Sequence, residues 1–577
     1  MTDAPGAIPP SDPAPSELRA KSLGKNTAIM ASGTLVSRVL GLIRNAMLVA
    51  AIGVNVGVAD AYDIANKLPN TLYAVVAAGV INAALVPQIL KAFGRRDGKR
   101  TVDRILTVGT VISLGVTVVL TIAAPLLVMA YAPSNWSPEL MALAVAFALW
   151  CIPQLLFYAI YTLFGQVLNA KEQFGPYMWA PVVNNIIGIV GLAAYLVIFG
   201  PQVKGVPALT GEALTIAWTP FRIALIAGVA TLGIAAQALI LIWPMVRGGY
   251  RFAWVWRGPK GELSGVRTVI SWALGAVLIE QLGVLWATRV AAAAPAAALA
   301  ADPSTPTGSI AGNAAYFQGL LIYLVPHSLI TVSIVTALTT SMSRLWVAND
   351  ITGLRAEISR GLRTIGVFTI FATVVTIAIA PSITRLMNPS ASPAEVTSVS
   401  QVLIALALGL AALGAMVLIK RVYFILEDAK AIFMIHIPMT LVLIGVSLAV
   451  RQYMDPKWWV VGVALGLSLS NVMGVLLRTW GLRNRLGGLD GRNIMRTHVK
   501  ALAGAVPAGF AGWGLTLVLP DPVTNTGFAG FAAAVVNIAA SGILMVVVYA
   551  LILRLLRTPE LGEVMSPVTR RISRRVR

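Results

Sequence analysis

The chain has 577 residues, 57% of them hydrophobic and only 12% charged, with a mean hydropathy of +0.81. Soluble domains carry about a quarter charged residues, so a soluble enzyme or adaptor is excluded and a polytopic membrane protein is required. The formal charge of +21 raises nucleic acid as a partner, and only the placement of the basic residues decides that question.

Residues 1–25 are rich in Pro, Ala and Ser and read as a disordered cytoplasmic tail without the apolar region of a signal peptide. The apolar residues that follow fall in blocks of roughly 20–25, each long enough to cross a ~30 Å hydrocarbon core. They are continuous rather than alternating, which selects helices over barrel strands. Hydropathy predicts fourteen spans, at roughly 26–51, 68–91, 104–131, 139–168, 177–200, 222–246, 266–294, 310–340, 364–381, 400–424, 430–450, 458–480, 497–519 and 526–556. Basic residues precede the first span (Arg19, Lys21, Lys25) and follow the second (Arg95, Arg96, Lys99, Arg100), sixth (Arg247, Arg251, Arg257, Lys260), eighth (Arg344, Arg355, Arg360, Arg363), twelfth (Arg483, Arg485, Arg492, Arg496) and last. The loops near 52–66, 132–138, 295–309 and 520–526 hold almost none. The positive-inside rule therefore places both termini in the cytoplasm, and the charge is a topology signal and a contact for anionic membrane lipids. Nucleic acid is not a partner.

Chemistry that breaks bonds lacks a handle. Cys151 is the single cysteine, and His327, His436 and His498 lack metal-ligand spacing. No phosphate loop, HExxH or serine elbow is present. The sequence points to no enzyme and no cofactor; a coupling ion stays unassigned.

The informative stretch is SRVLGLIRNAM, residues 37–47, inside the first span. A charged side chain at bilayer depth costs at least about 2.5–3.5 kcal/mol, so Arg38 and Arg44 need a use. At 100° per residue from Ser37, Arg44 falls at about −20°, Gly41 at 40°, Asn45 at 80° and Arg38 at 100°. One polar wedge results, which predicts a water-filled cavity lined by guanidiniums, suited to phosphate or carboxylate oxygens. Asp60 and Lys67 lie near the extracytoplasmic end, whereas Asp63 reads as part of a solvated loop. Arg289 and Glu280 are the charges of the seventh span; nine residues apart, they do not share a face, and Glu280 is a candidate partner for a first-span arginine. His327, His436 and Lys420 read as structural polar groups.

GTLVSRVLGLIRNAMLVAA (33–51) aligns with GAVLIEQLGVLWATRVAAA (275–293), an even number of spans apart. That is a parallel repeat, and it predicts a functional site between two halves.

The chain resembles the MurJ/MviN family of lipid II flippases, within the multidrug/oligosaccharidyl-lipid/polysaccharide exporter superfamily. Ser37–Arg44 matches that family's S-R-V-L-G-x-x-R, and Asp60, Ala61, Lys67, Pro69 and Asn70 match its D-A…K-x-P-N. Residues 152–185, 324–344, 421–433 and 482–497 look like the actinobacterial branch. The resemblance implies an all-α fold of two six-helix lobes in a V, 26–246 and 266–480, followed by two helices (497–556) forming a lipid-tail groove and a basic cytoplasmic tail (557–577). It implies transport of undecaprenyl-pyrophosphate-linked disaccharide-pentapeptide to the outer leaflet of the cell membrane, for peptidoglycan synthesis. Ser37, Arg38, Arg44, Asn45, Asp60, Lys67 and Arg289 are the expected substrate-binding set, and cell-wall synthesis proteins are expected partners. Relatives place cavity arginines where this chain has Tyr73 and Leu321, so Arg289 is the candidate that compensates. Three other readings stay open: a flippase for another lipid-linked glycan, a cation or drug antiporter of the same superfamily, and a non-transporting scaffold. The arginines in the first span disfavour the antiporter, since a cation site calls for carboxylates.

Overall fold

The computed structural model describes residues 15–55, 57–76, 98–171, 173–202, 211–256, 267–306 and 308–560. All regular elements among them are helical. The first lobe contains α1 (Pro15–Ile52), α2 (Gly57–Val76), α3 (Gly98–Ile122), α4 (Ala124–Tyr131), α5 (Pro138–Cys151), α6 (Gln154–Ala170), α7 (Phe174–Phe199) and the short α8 (Gly211–Ala217). A π turn at Ala224–Gly228 then leads into α9 (Val229–Leu239) and α10 (Ile242–Arg247). The second lobe contains α11 (Arg267–Ala301), α12 (Asn313–Pro326), α13 (Val332–Val347), α14 (Ile351–Ala378), α15 (Ala380–Met387), α16 (Pro393–Ala407), α17 (Leu410–Ile425), α18 (Ala429–Tyr453) and α19 (Trp459–Leu486). A terminal hairpin, α20 (Gly491–Thr516) and α21 (Gly527–Leu555), completes the chain.

Eleven described helices are long and apolar enough to span a bilayer, or twelve when α16 and α17, bent by 45°, count as one. The two remaining expected spans are the second, of which 77–91 lies outside the described residues, and α20. Several boundaries differ from expectation, α2 among them, which begins at Gly57 rather than near 68. The first helix begins at Pro15, so residues 15–25 are helix rather than loose tail, and α14 begins at Ile351, thirteen residues before the apolar run. Hydropathy cannot register such polar helical extensions beyond the bilayer. Residues 1–14 and 561–577 lie outside the described residues.

The repeat reappears in how helices pair. α1 packs on α7 as α11 packs on α18; α2 on α5 as α12 on α16; α3 on α6 as α14 on α17; α7 on α9 as α18 on α19. Local chemistry repeats as well. Ser137 caps α5 ahead of Pro138, and Ser392 caps α16 ahead of Pro393 with Glu395 completing a capping box. Lipid tails give no hydrophobic drive to helix association, so close approach through small residues carries it. A Cβ on Gly33 would sit 2.7 Å from Cδ1 of Trp179 on α7, and one on the aligned Gly275 would sit 2.8 Å from Cε2 of Phe433 on α18.

The hairpin packs on α14 and α15. Arg385, fully buried on α15, holds it there by donating to the carbonyls of Pro522 (2.7 Å), Val523 (2.9 Å), Pro389 and Ala391. Tyr549 donates to the Val367 carbonyl at 2.7 Å, and Arg363 pairs with Glu560 at 2.6 Å.

Candidate substrate site between the lobes

The first helix of one lobe runs antiparallel to α12 of the other, and polar side chains tie them at three levels. Just beyond α1, the Asn55 amide donates to the Gly308 carbonyl and the Ser398 hydroxyl, both at 2.7 Å. Further down, the amides of Asn45 and Gln318 pair in both directions, at 2.8 and 3.1 Å. Deeper still, Arg38 donates to the Ser328 hydroxyl at 2.6 Å. Ser328 lies in the π turn His327–Thr331 that follows Pro326, where the proline's missing N–H loosens the helical ladder.

The wedge that the helical wheel draws as one face divides in two. Arg38 and Asn45, at its 80–100° edge, turn toward α12. Ser37, Gly41 and Arg44, at the other edge, turn into their own lobe against α7. The Asn185 amide donates to the carbonyl (2.8 Å) and hydroxyl (3.1 Å) of Ser37, and Arg44 donates to Asn184 at 3.3 Å. Gly188 leaves room for the Arg44 stem, since a Cβ there would collide with its Cδ. Arg44 then reaches a cavity of about 80 Å³ bounded on its polar side by Tyr62, Asn66, Gln154 and Tyr158. That volume holds a few waters, far less than a glycosylated pyrophosphate, so large cargo requires the lobes to part. The Asn pair at 184–185 and Gln154 escaped the sequence reading; the available signal was amides inside otherwise apolar spans.

Asp60 and Lys67 serve the seam between lobes. Asp60 is buried and accepts from the backbone N–H of Ala314 at 2.6 Å, capping α12, whose own N-cap residue, Gly312, has no side chain. Asp63 is no solvated loop residue. Helix α2 already begins at Gly57, and Asp63 is buried, accepting from Asn313 and pairing with Lys67 at 2.9 Å. The Lys67 ammonium lies over the Phe317 ring, 4.7 Å from its centroid. The motif's two aspartates are thus met by the second lobe, a pairing local sequence cannot register because the partners lie about 250 residues away, while Lys67 pairs with Asp63 one turn along its own helix.

Arg289 is set apart from the pair on α1. Its guanidinium donates to the Ala130 carbonyl at the end of α4 (3.1 Å), one turn below Trp136 and Asn135, which donate to the carbonyls of Ala292 and Ala293. It is a lobe-to-lobe tie at the sparsely charged end, so the structure gives no support to its compensating for missing cavity arginines. Glu280 likewise does not reach a first-span arginine; its carboxylate lies 3.9 Å from Nε2 of His436 in its own lobe. Tyr73 hydrogen-bonds Thr162 within the first lobe and stands 5.6 Å from Tyr158, while Leu321 is partly exposed on α12.

The seam is therefore closed where the charge-poor loops meet, and the two guanidiniums of α1 sit below it, one across the seam and one beside an internal cavity. An arrangement of this kind can neutralise an anion between lobes and release it when the lobes rock.

The chain is similar to proteins already known. A solved lipid II flippase MurJ in an inward closed conformation superposes with a TM-score of 0.64 at 18% identity, covering 92% of this chain and 99% of the other. A MATE in complex with MaL6 gives 0.54 at 14% identity, covering 80% and 96%. Probable lipid II flippases MurJ of Synechocystis and Vibrio cholerae are 27% and 24% identical, each covering 86% of this chain and 89% and 90% of their own length. The family model described as lipid II flippase MurJ matches residues 48–532, and the chain belongs to that family.

Proposed function

We propose that the protein carries lipid II, the lipid-linked peptidoglycan precursor, from the inner to the outer leaflet by alternating access of its two lobes. The observation that carries this reading is the pair of guanidiniums on α1, placed between lobes that close over them, in a chain of the lipid II flippase family. Arg38 and Arg44 take the pyrophosphate; Ser37 and Asn45 hold α1 to α7 and α12 until cargo displaces those contacts. The basic loops place both termini in the cytoplasm, so the seam closed by Asp60, Asp63 and Lys67 is the extracytoplasmic one. No bond is broken in this cycle. With no nucleotide motif in the sequence, drive comes from an ion gradient, the membrane potential (about 2.3 kcal/mol per charge per 100 mV) or consumption of the product.

The test is outer-leaflet exposure of lipid II in cells depleted of their own flippase and supplied with this chain. Wild type restores exposure and growth; Arg38→Ala and Arg44→Ala do not, at equal protein level. Full rescue by either variant removes that arginine from cargo binding, and exposure of a different lipid-linked glycan reassigns the substrate.

A further inference from the structure

Arg478, on α19, has no role in the transport scheme. It is completely buried, about 12 Å inside the end of α19 at Leu486, and its Nε, Nη1 and Nη2 all lack a hydrogen-bond partner among the described residues. Arg385, equally buried, places its three nitrogens on four carbonyls. A guanidinium presents five N–H donors and keeps its charge, and a buried charge without a partner costs several kcal/mol. The arrangement around Arg478 therefore calls for an acceptor.

Its charged neighbours do not supply one. Lys420 on α17 and His436 on α18 lie within electrostatic reach; Lys420 adds positive charge, and the His436 Nδ1 is engaged with the Ile432 carbonyl at 2.7 Å. Glu280 on α11 is the nearby carboxylate, but it turns toward His436 and its side chain is 55% exposed. The Tyr423 hydroxyl donates to the Arg478 carbonyl at 3.0 Å, so its proton faces the backbone. Counting Arg478, Lys420 and Glu280, with His436 uncharged, the cluster holds a surplus of one positive charge. The thioethers of Met439 and Met416 meet one turn away, at 2.7 and 3.1 Å from a Cβ built on Gly474. Such soft, flexible side chains yield to a small guest.

We propose that Arg478 and Lys420 form a binding site for one monovalent inorganic anion of the halide class inside the second lobe, beside His436. The anion gives the guanidinium its acceptor and cancels the surplus charge. A small ion fits where an organic phosphate does not, because the site is a packed interior between α11, α17, α18 and α19. It lies near the helix ends that lead into the basic loops, so the ion enters from that side. The site shares no residue with α1 and stands independently of the cargo.

The experiment uses the full chain in lipid nanodiscs, with thermal unfolding followed in chloride against gluconate at equal ionic strength, and radiolabelled chloride binding in parallel. Wild type should gain a saturable, chloride-dependent rise in Tm and bind about one chloride. Lys420→Gln should weaken that binding at least tenfold, and Arg478→Gln should abolish it. If Arg478→Gln does not fold, Lys420→Gln alone decides. No chloride dependence in wild type, or unchanged affinity in Lys420→Gln, overturns the proposal. Chloride dependence that appears only in Glu280→Gln also overturns it, because Glu280 would then be the acceptor Arg478 uses.

Discussion

The cap that Asp60 places on α12 makes the closing of the lobes measurable. Asp60→Ala leaves the buried N–H of Ala314 without an acceptor whenever the lobes are closed, whereas in the parted state that N–H reaches water. Leaving a buried donor unpaired costs about 1–3 kcal/mol. The neutral interhelical hydrogen bonds that also hold the seam, such as Asn45 with Gln318, are each worth about 0.6 kcal/mol on average in membranes. Loss of the cap therefore outweighs loss of any one of those. At about 2 kcal/mol the ratio of parted to closed molecules rises roughly 30-fold, a tenfold change being 1.4 kcal/mol. Asp60→Asn keeps an oxygen in place and should shift the ratio far less. Spin labels at Ser134→Cys, on the loop after α4, and Thr397→Cys, in the first turns of α16, both exposed, report the separation by electron–electron double resonance; Cys151 is buried and does not react. A longer-distance population should grow in Asp60→Ala. Distance distributions identical in wild type, Asp60→Ala and the Asp60→Ala/Asp63→Ala double variant would refute the cap as a closing element.

Three other outcomes are expected. Asn45→Leu or Gln318→Leu alone strands one amide and should lower thermal stability in nanodiscs by about 1 kcal/mol, while the double change recovers most of it; additive losses would mean the amides do not act as a pair. Arg385→Met should cost about 3 kcal/mol or more, since four carbonyls lose their donor, and should open 520–526 to proteolysis; an unchanged melting temperature and cleavage pattern would contradict the clamp. Gly188→Ala pushes the Arg44 stem and should cut lipid II exposure several-fold at normal protein level, whereas Gly115→Ala, whose Cβ meets nothing within 4 Å, should not; equal activity of the two would remove the Arg44 position from transport.

How much was legible in the chain depends on the distance over which each feature acts. Span positions, the basic face and the repeat follow from local composition, because the bilayer selects for 20-residue apolar runs wherever they occur. The two arginines of α1 stand out for the same reason, as charges where charge is costly. The direction each one faces is a different matter. Arg38 turns to Ser328 and Arg44 to Asn184 because α12 and α7 approach α1 from different sides, and a helical wheel that spaces the two by 120° does not say what lies at each angle. Asp63 read as solvated because its partners, Asn313 and Lys67, belong to another lobe and another turn. Arg289 read as a cavity cation, yet the end of α4 is what it meets. Local sequence does not distinguish Arg385 from Arg478, and only the packed helices separate them: the first is wrapped in carbonyls, the second has no acceptor among the described residues. Composition along the chain therefore decides what enters the membrane and which way it faces, because each segment meets the bilayer on its own terms. Which buried charge is satisfied, and by what, is decided only when segments hundreds of residues apart are brought within 3 Å, since hydrogen bonds do not act at longer range.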